Sequence, residues 1–162
     1  MKTLLLMRHA KSSWKEKDLP DQDRPLKKRG KKNAVQMGEF LKTKQLIPQR
    51  ILSSTAERAS KTAAYIAKEC GYKDEIDYRQ DLYMAEPGAI INVLRSVPDE
   101  IDRIMVVGHN PGLEGLAQIL DGRVVSLPTA SVAYIILPLK SWDELNDATD
   151  GQVVDVYQVK GK

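Results

Sequence analysis

Cysteine occurs once in these 162 residues, at position 70, and histidine only twice. A single cysteine excludes a disulfide within the chain and fits a reducing compartment. With no HExxH, CxxC or His-x-His spacing, the histidines and cysteine form no metal-ligating set, so no metal is expected. Neither a GxSxG nucleophile elbow nor a GxxxxGK[ST] phosphate loop occurs, which removes the usual serine-hydrolase and P-loop signatures. Long apolar runs are missing as well. The run Thr3 to Met7 stops at Arg8, too soon for the apolar part of a signal peptide. Nothing approaches the ~20 apolar residues that cross a bilayer. The expected location is the cytoplasm, with no membrane partner. Aromatic residues make up 6% of the chain and none lies among its densest basic residues, so no stacking platform for single-stranded nucleic acid is expected.

What is present is a globular composition, 42% hydrophobic and 29% charged, at a length that fits one domain over residues 1–162. The net charge of +3 is unevenly placed. Arg24, Lys27, Lys28, Arg29, Lys31 and Lys32 fall within nine residues that contain no acid, whereas Asp143, Glu144, Asp147, Asp150 and Asp155 lie in a stretch without a base. The basic cluster reads either as a solvated helix face or as a surface that meets nucleic acid or an acidic protein.

Short apolar runs alternate with segments of helical periodicity, the pattern of an α/β fold. Strands are expected at Lys2 to Met7, Gln49 to Ser53, Glu75 to Tyr78, Arg103 to Val107, Ser131 to Leu137 and Gln152 to Gln158. Helices are expected from Leu26 to about Lys44, from a Ser54 or Thr55 cap to Cys70, from Pro87 to about Val97, and from Pro111 to Leu120. The order βαβαβαβαββ predicts a mostly parallel sheet of about six strands flanked by helices in a three-layer sandwich. Such sheets bind ligands at the carboxyl ends of their strands.

Three of those ends carry polar groups: Arg8-His9-Ala10-Lys11, Ser53-Ser54-Thr55-Ala56-Glu57-Arg58, and Gly108-His109-Asn110-Pro111-Gly112. Parallel strands would gather two arginines, two histidines and a helix start on one edge, a set suited to a phosphate dianion. Asn110 fits an N-cap, Pro111 the first helical position, and Gly108 and Gly112 a close approach of backbone to ligand. Ser54, Arg58 and Thr62 are spaced by four and share one helix face. Lys11 and Asn110, which adjoin the two histidines, are further phosphate-binding candidates.

These residues resemble the signatures of the histidine phosphatase superfamily, which has the phosphoglycerate-mutase-like fold. Arg8-His9 matches the Arg-His pair after the first strand. The third residue is Ala10 where glycine is commoner, as in the RHA pattern of the small branch. Ser54, Arg58, Ala59 and Thr62 match Ser-x-x-x-Arg-Ala-x-x-Thr, His109 matches the late histidine, and Thr129-Ala130-Ser131-Val132-Ala133 is similar to a late segment of the small branch. The resemblance implies that His9 is a nucleophile forming a phosphohistidine intermediate. It implies that Arg8, Arg58 and His109 bind the phosphoryl oxygens, and that no cofactor is needed. It also implies an acid after the third strand, for which Glu86 is the nearest candidate.

Only fifty residues separate Arg58 from His109, too few for a large lid, so the site is expected to be shallow and open. That favours a phosphate on a protein surface, and the chain is most similar to the small SixA-type phosphohistidine phosphatases. The leading expectation is removal of phosphate from phosphohistidine on a protein such as a histidine phosphotransfer domain, with phosphate or sulfate as the small ligand of the site. The alternatives are a phosphomonoesterase for small-molecule or peptide esters and a non-catalytic phosphoprotein-binding module.

Overall fold

The computed structural model describes residues 1–159; the last three residues of the expected domain, 160–162, lie outside the described residues. Six strands form one sheet: β1 (Lys2–Arg8), β2 (Arg50–Ser54), β3 (Asp77–Arg79), β4 (Arg103–Gly108), β5 (Val132–Leu137) and β6 (Gln152–Tyr157). Their spatial order is β3-β2-β4-β1-β5-β6. The pairs β3–β2, β2–β4 and β4–β1 are parallel, while β5 is antiparallel to both β1 and β6. Four helices, α1 (Lys28–Thr43), α2 (Glu57–Cys70), α3 (Pro87–Arg95) and α4 (Gly112–Asp121), complete the expected element order.

The layers follow from the alternation of side chains along buried strands. Leu4 and Leu6 of β1 join Ile104 and Val106 of β4 on the face covered by α3 and α4, where Ile90, Leu94, Leu113, Leu116 and Trp142 pack. Leu5 and Met7 join Met105 and Val107 on the other face, under Met37 and Leu41 of α1 and Ala59, Ala63 and Ile66 of α2. Both faces are dry, so the three-layer sandwich has a core on each side of the sheet. The central strands β2, β4 and β1 are neighbours in register, with Ser53 beside Val107 and Arg8 beside Gly108. Their carboxyl ends therefore open onto one edge.

Several boundaries move, each for a local reason. Helix α1 begins at Lys28 and leaves Leu26 outside, because Leu26 bridges Ser12 and the Lys27 N–H donates to the Lys11 carbonyl. Helix α2 has Ala56 as its N-cap instead of Ser54 or Thr55. Ser54 ends β2, and the Thr55 hydroxyl is shared with Gln22 and Gln80. Strand β3 spans Asp77–Arg79, two residues later than expected at its start. Helix α4 starts at Gly112 with Pro111 as its N-cap residue, so Asn110 precedes the cap.

Gly112 is also corrected. It makes room for protein instead of ligand: a Cβ there would lie 1.8 Å from the Ala85 carbonyl oxygen. Beside Gly108 a Cβ would meet only the Leu113 side chain at ordinary contact distance. Gly112→Ala should therefore force the segment before α3 away from α4, destabilising the protein by about 1–3 kcal/mol in urea unfolding. Gly108→Ala should cost clearly less by the same measurement.

Candidate active site

The strand ends bring Arg8, His9, Lys11, Arg58, His109 and Asn110 into the lining of one cleft of about 390 Å³. Ser12, Trp14, Arg24, Met84 and Thr129 complete it. The histidines are recessed, His9 8% and His109 3% exposed, with ring centroids 5.3 Å apart. The cleft is thus deeper than the short span between Arg58 and His109 led us to expect. Its extra wall comes from the loop after β1, which carries Ser12, Trp14 and Arg24.

His9 sits where β1 ends, and its Nδ1 lies 2.8 Å from the Ala10 carbonyl oxygen. A carbonyl accepts only, so Nδ1 carries the proton and Nε2 keeps its lone pair. The backbone behind it is pinned twice. Ala130 N–H donates to the carbonyls of Arg8 and His9, both at 3.1 Å, and Ala10 N–H donates to Thr62 Oγ1 at 3.0 Å. Ala130 does so from a left-handed backbone conformation, φ 62°, a strained state for a residue with a Cβ. This gives the Thr129–Ala133 segment a physical role. Ala10 is fully buried among α1 and α2, so its methyl fills core space.

His109 follows β4, and its Nε2 lies 2.8 Å from Ser54 Oγ. That oxygen already accepts the Ala56 N–H at 3.2 Å, so its own proton is free to go to Nε2. His109 then keeps its proton on Nδ1, which is buried and without a partner among the described residues. Arg8 Nε and Arg58 Nε are buried and unpartnered too. Three donors facing no acceptor cost roughly 1–3 kcal/mol each until an acceptor arrives. A phosphoryl group offers oxygens to all three.

Three of the outer guanidinium nitrogens are anchored. Arg8 Nη1 donates to the Leu127 carbonyl at 3.2 Å. Arg58, 3% exposed, donates from Nη1 to the Asp21 carbonyl at 2.8 Å and from Nη2 to Asp21 Oδ2 at 2.9 Å. Asp21 also accepts from Arg24 Nε at 3.1 Å and from the Tyr83 hydroxyl at 2.5 Å. The Tyr83 hydroxyl, foremost, and the two arginines hold its carboxyl down at about 2. Asp21, Arg24 and Tyr83 were missed in the sequence, although Asp21 stands three residues before Arg24; what links them to Arg58 is a contact across 37 positions.

Two of the candidates sit differently. Asn110 lines the cleft, but its amide is committed: Nδ2 donates to the Leu127 carbonyl at 2.9 Å and Oδ1 accepts the Glu114 N–H at 3.3 Å. Its side chain braces the loop before α4. Glu86 is exposed at the N-cap position of α3 and is absent from the cleft lining, where no carboxylate stands among the described residues. Lys11 is exposed at the cleft wall. No group of three or more His, Cys, Asp or Glu able to hold a metal occurs among the described residues.

Burial, with Arg58, Arg8 and Arg24 adding to it, pushes His9 from 6.5 down to about 4. Burial first, then the neighbouring His9 and Arg58, pushes His109 down to about 3. Both rings are neutral at physiological pH, as a nucleophile and a neutral donor require.

A family model described as the histidine phosphatase superfamily (branch 1) matches residues 4–86. An uncharacterized chloroplastic protein of Arabidopsis thaliana is 34% identical over 151 residues, covering 87% of this chain and 69% of the relative. Among solved structures, the protein histidine phosphatase SixA complexed with tungstate superposes with a TM-score of 0.82 at 19% identity, over 96% of each chain. A mycobacterial glucosyl-3-phosphoglycerate phosphatase in complex with VO3 gives a TM-score of 0.70 at 16% identity, over 99% of this chain and all of the other.

Two predictions arise from this geometry. With only two histidines, proton NMR resolves each ring, and both should titrate below pH 5. The unfolded chain takes up protons near 6.5 whereas folded His9 does so near 4, so stability is complete above 6.5 and falls as the pH drops between those values. That loss is on the order of 3 kcal/mol for His9 alone, read as the shift in urea midpoint from pH 7 to pH 4. A ring midpoint near 6.5 would contradict the buried, cation-flanked site. Second, Asp21→Asn removes the charge that orients Arg58, and should lower kcat/KM for an aryl phosphate by up to about 10²-fold and also lower the urea midpoint, because the buried Arg58 loses its counter-charge.

Proposed function

The chain belongs to the histidine phosphatase superfamily, branch 1, and from that membership we propose that it is a metal-independent phosphatase acting on phosphohistidine carried by a protein. The observation that carries the reading is the unprotonated Nε2 of His9, with Nδ1 held by the Ala10 carbonyl, in a cleft that also contains the unpaired donors of Arg8, Arg58 and His109. Nε2 attacks phosphorus, and the leaving group departs on the opposite side. The phosphoryl oxygens take up the three donors as their charge develops. Water then hydrolyses the phosphohistidine on His9. Fixed cations serve where other phosphotransfer sites use Mg²⁺.

Substrate choice follows from the leaving group. An ester expels an alkoxide and gains ~10²–10⁴ from a general acid. The cleft lining has no carboxylate among the described residues, and Glu86 stands outside it. A phosphoimidazole whose free ring nitrogen has taken a proton from solvent leaves as neutral imidazole, whose conjugate acid has an ordinary pKa near 6.5, so it needs no carboxylate in the cleft. The likeness to SixA in fold accords with this choice.

His9→Ala should abolish both turnover and the acid-labile phosphoenzyme. In chelator, a phosphohistidine protein should turn over faster than a phosphoserine peptide or an aryl phosphate. Hydrolysis of the esters alone would make the protein a phosphomonoesterase and defeat the phosphohistidine reading. Tight binding of the phosphoprotein without any phosphoenzyme would make it a binding module.

A further inference from the structure

We propose that a second groove, beside the catalytic cleft, receives an acidic segment of the phosphorylated protein; this deepens the phosphohistidine reading and rests on it. The groove has a volume of about 630 Å³ and lies between residues 13–16 and the start of α1. Its charged lining is Lys15, Lys27, Lys28 and Arg29 against a single acid, Glu16.

The two hollows share one wall. The ribbon after His9 runs along the segment before α1: Ser12 bridges Leu26, Ser13 N–H donates to the Pro25 carbonyl at 2.8 Å, and Lys27 N–H donates to the Lys11 carbonyl at 2.9 Å. Extended backbone turns alternate side chains to opposite sides. Over residues 12–15 the sides alternate, Ser12 and Trp14 lining the catalytic cleft and Ser13 and Lys15 the basic groove; Lys11 before them faces the cleft and Glu16 after them the groove. Gly30 keeps the ribbon seated, since a Cβ there would lie 2.2 Å from the Lys11 carbonyl oxygen. A polypeptide with its phosphoryl group at His9 is one strand's width from the groove.

The charge is not explained by the stability of α1. The first turn of a helix favours acids, because its free N–H groups make that end positive. Here Lys27 is the N-cap with no side-chain cap, the first turn holds no acid, and Lys28 and Arg29 open the helix. No ion pair engages Lys15, Lys27, Lys28 or Arg29 among the described residues. Unpaired cations placed against a helix dipole complement an incoming acidic chain, which satisfies both at once. Trp14, 68% exposed and held with its ring centroid 3.4 Å from the Arg24 guanidinium carbon, offers an apolar contact on the cleft side of the shared wall.

The test uses two peptides with a central phosphohistidine, one flanked by glutamates and one by lysines. The intact protein should show kcat/KM at least about tenfold higher for the glutamate peptide, with the gap closing as salt is raised. The triple substitution Lys27→Glu, Lys28→Glu, Arg29→Glu suits the helix dipole, so it should fold. It should lose the preference while hydrolysing an aryl phosphate within about twofold of the wild-type rate. A preserved preference for the glutamate peptide would overturn the groove assignment and leave the phosphatase reading standing. If neither peptide is hydrolysed while the aryl phosphate is, the phosphohistidine reading fails, and the groove is judged by binding alone. A dye-labelled unphosphorylated glutamate peptide should bind the wild type and lose at least about tenfold in affinity for the triple variant, read by fluorescence anisotropy. Equal affinity for the two proteins would overturn the groove.

Discussion

Leaving a buried donor without an acceptor costs about 1–3 kcal/mol, and this protein does so three times within one cleft, at Arg8 Nε, Arg58 Nε and His109 Nδ1. A fold tolerates that only where its neighbours prevent the donors from turning to the nearest carbonyl. Most of the polar structure at the sheet edge serves that purpose. Leu127 holds the outer nitrogen of Arg8, and Asp21 holds both outer nitrogens of Arg58. Ser54 holds the far side of His109. These anchors leave Arg8 Nε, Arg58 Nε and His109 Nδ1 without partners among the described residues, and the three side chains that carry them line the same hollow.

The protonation states depend on the same arrangement. Burial keeps the imidazole of His9, the proposed nucleophile, neutral, and the three neighbouring arginines act in the same direction. Uncompensated arginines at this density would repel one another and draw in water. Asp21 supplies the counter-charge at the rim, where it is partly solvated and therefore inexpensive to ionise. Because the carboxylate meets the arginines from outside the cleft, it reduces their mutual repulsion without competing for the N–H groups that face inward. Thus one acid, drawn from the loop after β1, reconciles a cationic pocket with neutral histidines.

Much of this was legible from local pattern. The apolar runs and helical periods yielded all six strands and four helices in order. The three strand exits located His9, Arg8, Arg58 and His109 because parallel neighbours bring carboxyl ends together. What local pattern lacked were contacts between distant residues. Asp21 reads as one acid of a mixed loop until it is seen against Arg58. Ser54 and Thr55 read as helix caps, yet the Ser54 hydroxyl turns to His109 and that of Thr55 to Gln22 and Gln80. Gly112 read as space for a ligand and proved to be space for the Ala85 carbonyl. Glu86 was named for its nearness to β3, and the turn into α3 leaves it exposed. In each case a short polar side chain or a glycine had several local uses, and a tertiary neighbour selected one.

The loop after β1 shows how recognition and chemistry can be joined without interfering. It begins at His9 and ends at a helix whose first turn is basic, and its side chains face two hollows. A change at Lys15 alters one hollow, and a change at Trp14 alters the other. Neither touches the Nδ1–carbonyl bond that aims His9, because that bond is made within the backbone of residues 9 and 10. His9 is oriented by the main chain and the proposed anion site by fixed arginines, and in our proposal partner choice is left to side chains on the exposed ribbon. In the proposed function, substrate choice can therefore change at the ribbon while Arg8, His9, Arg58 and His109 stay in place.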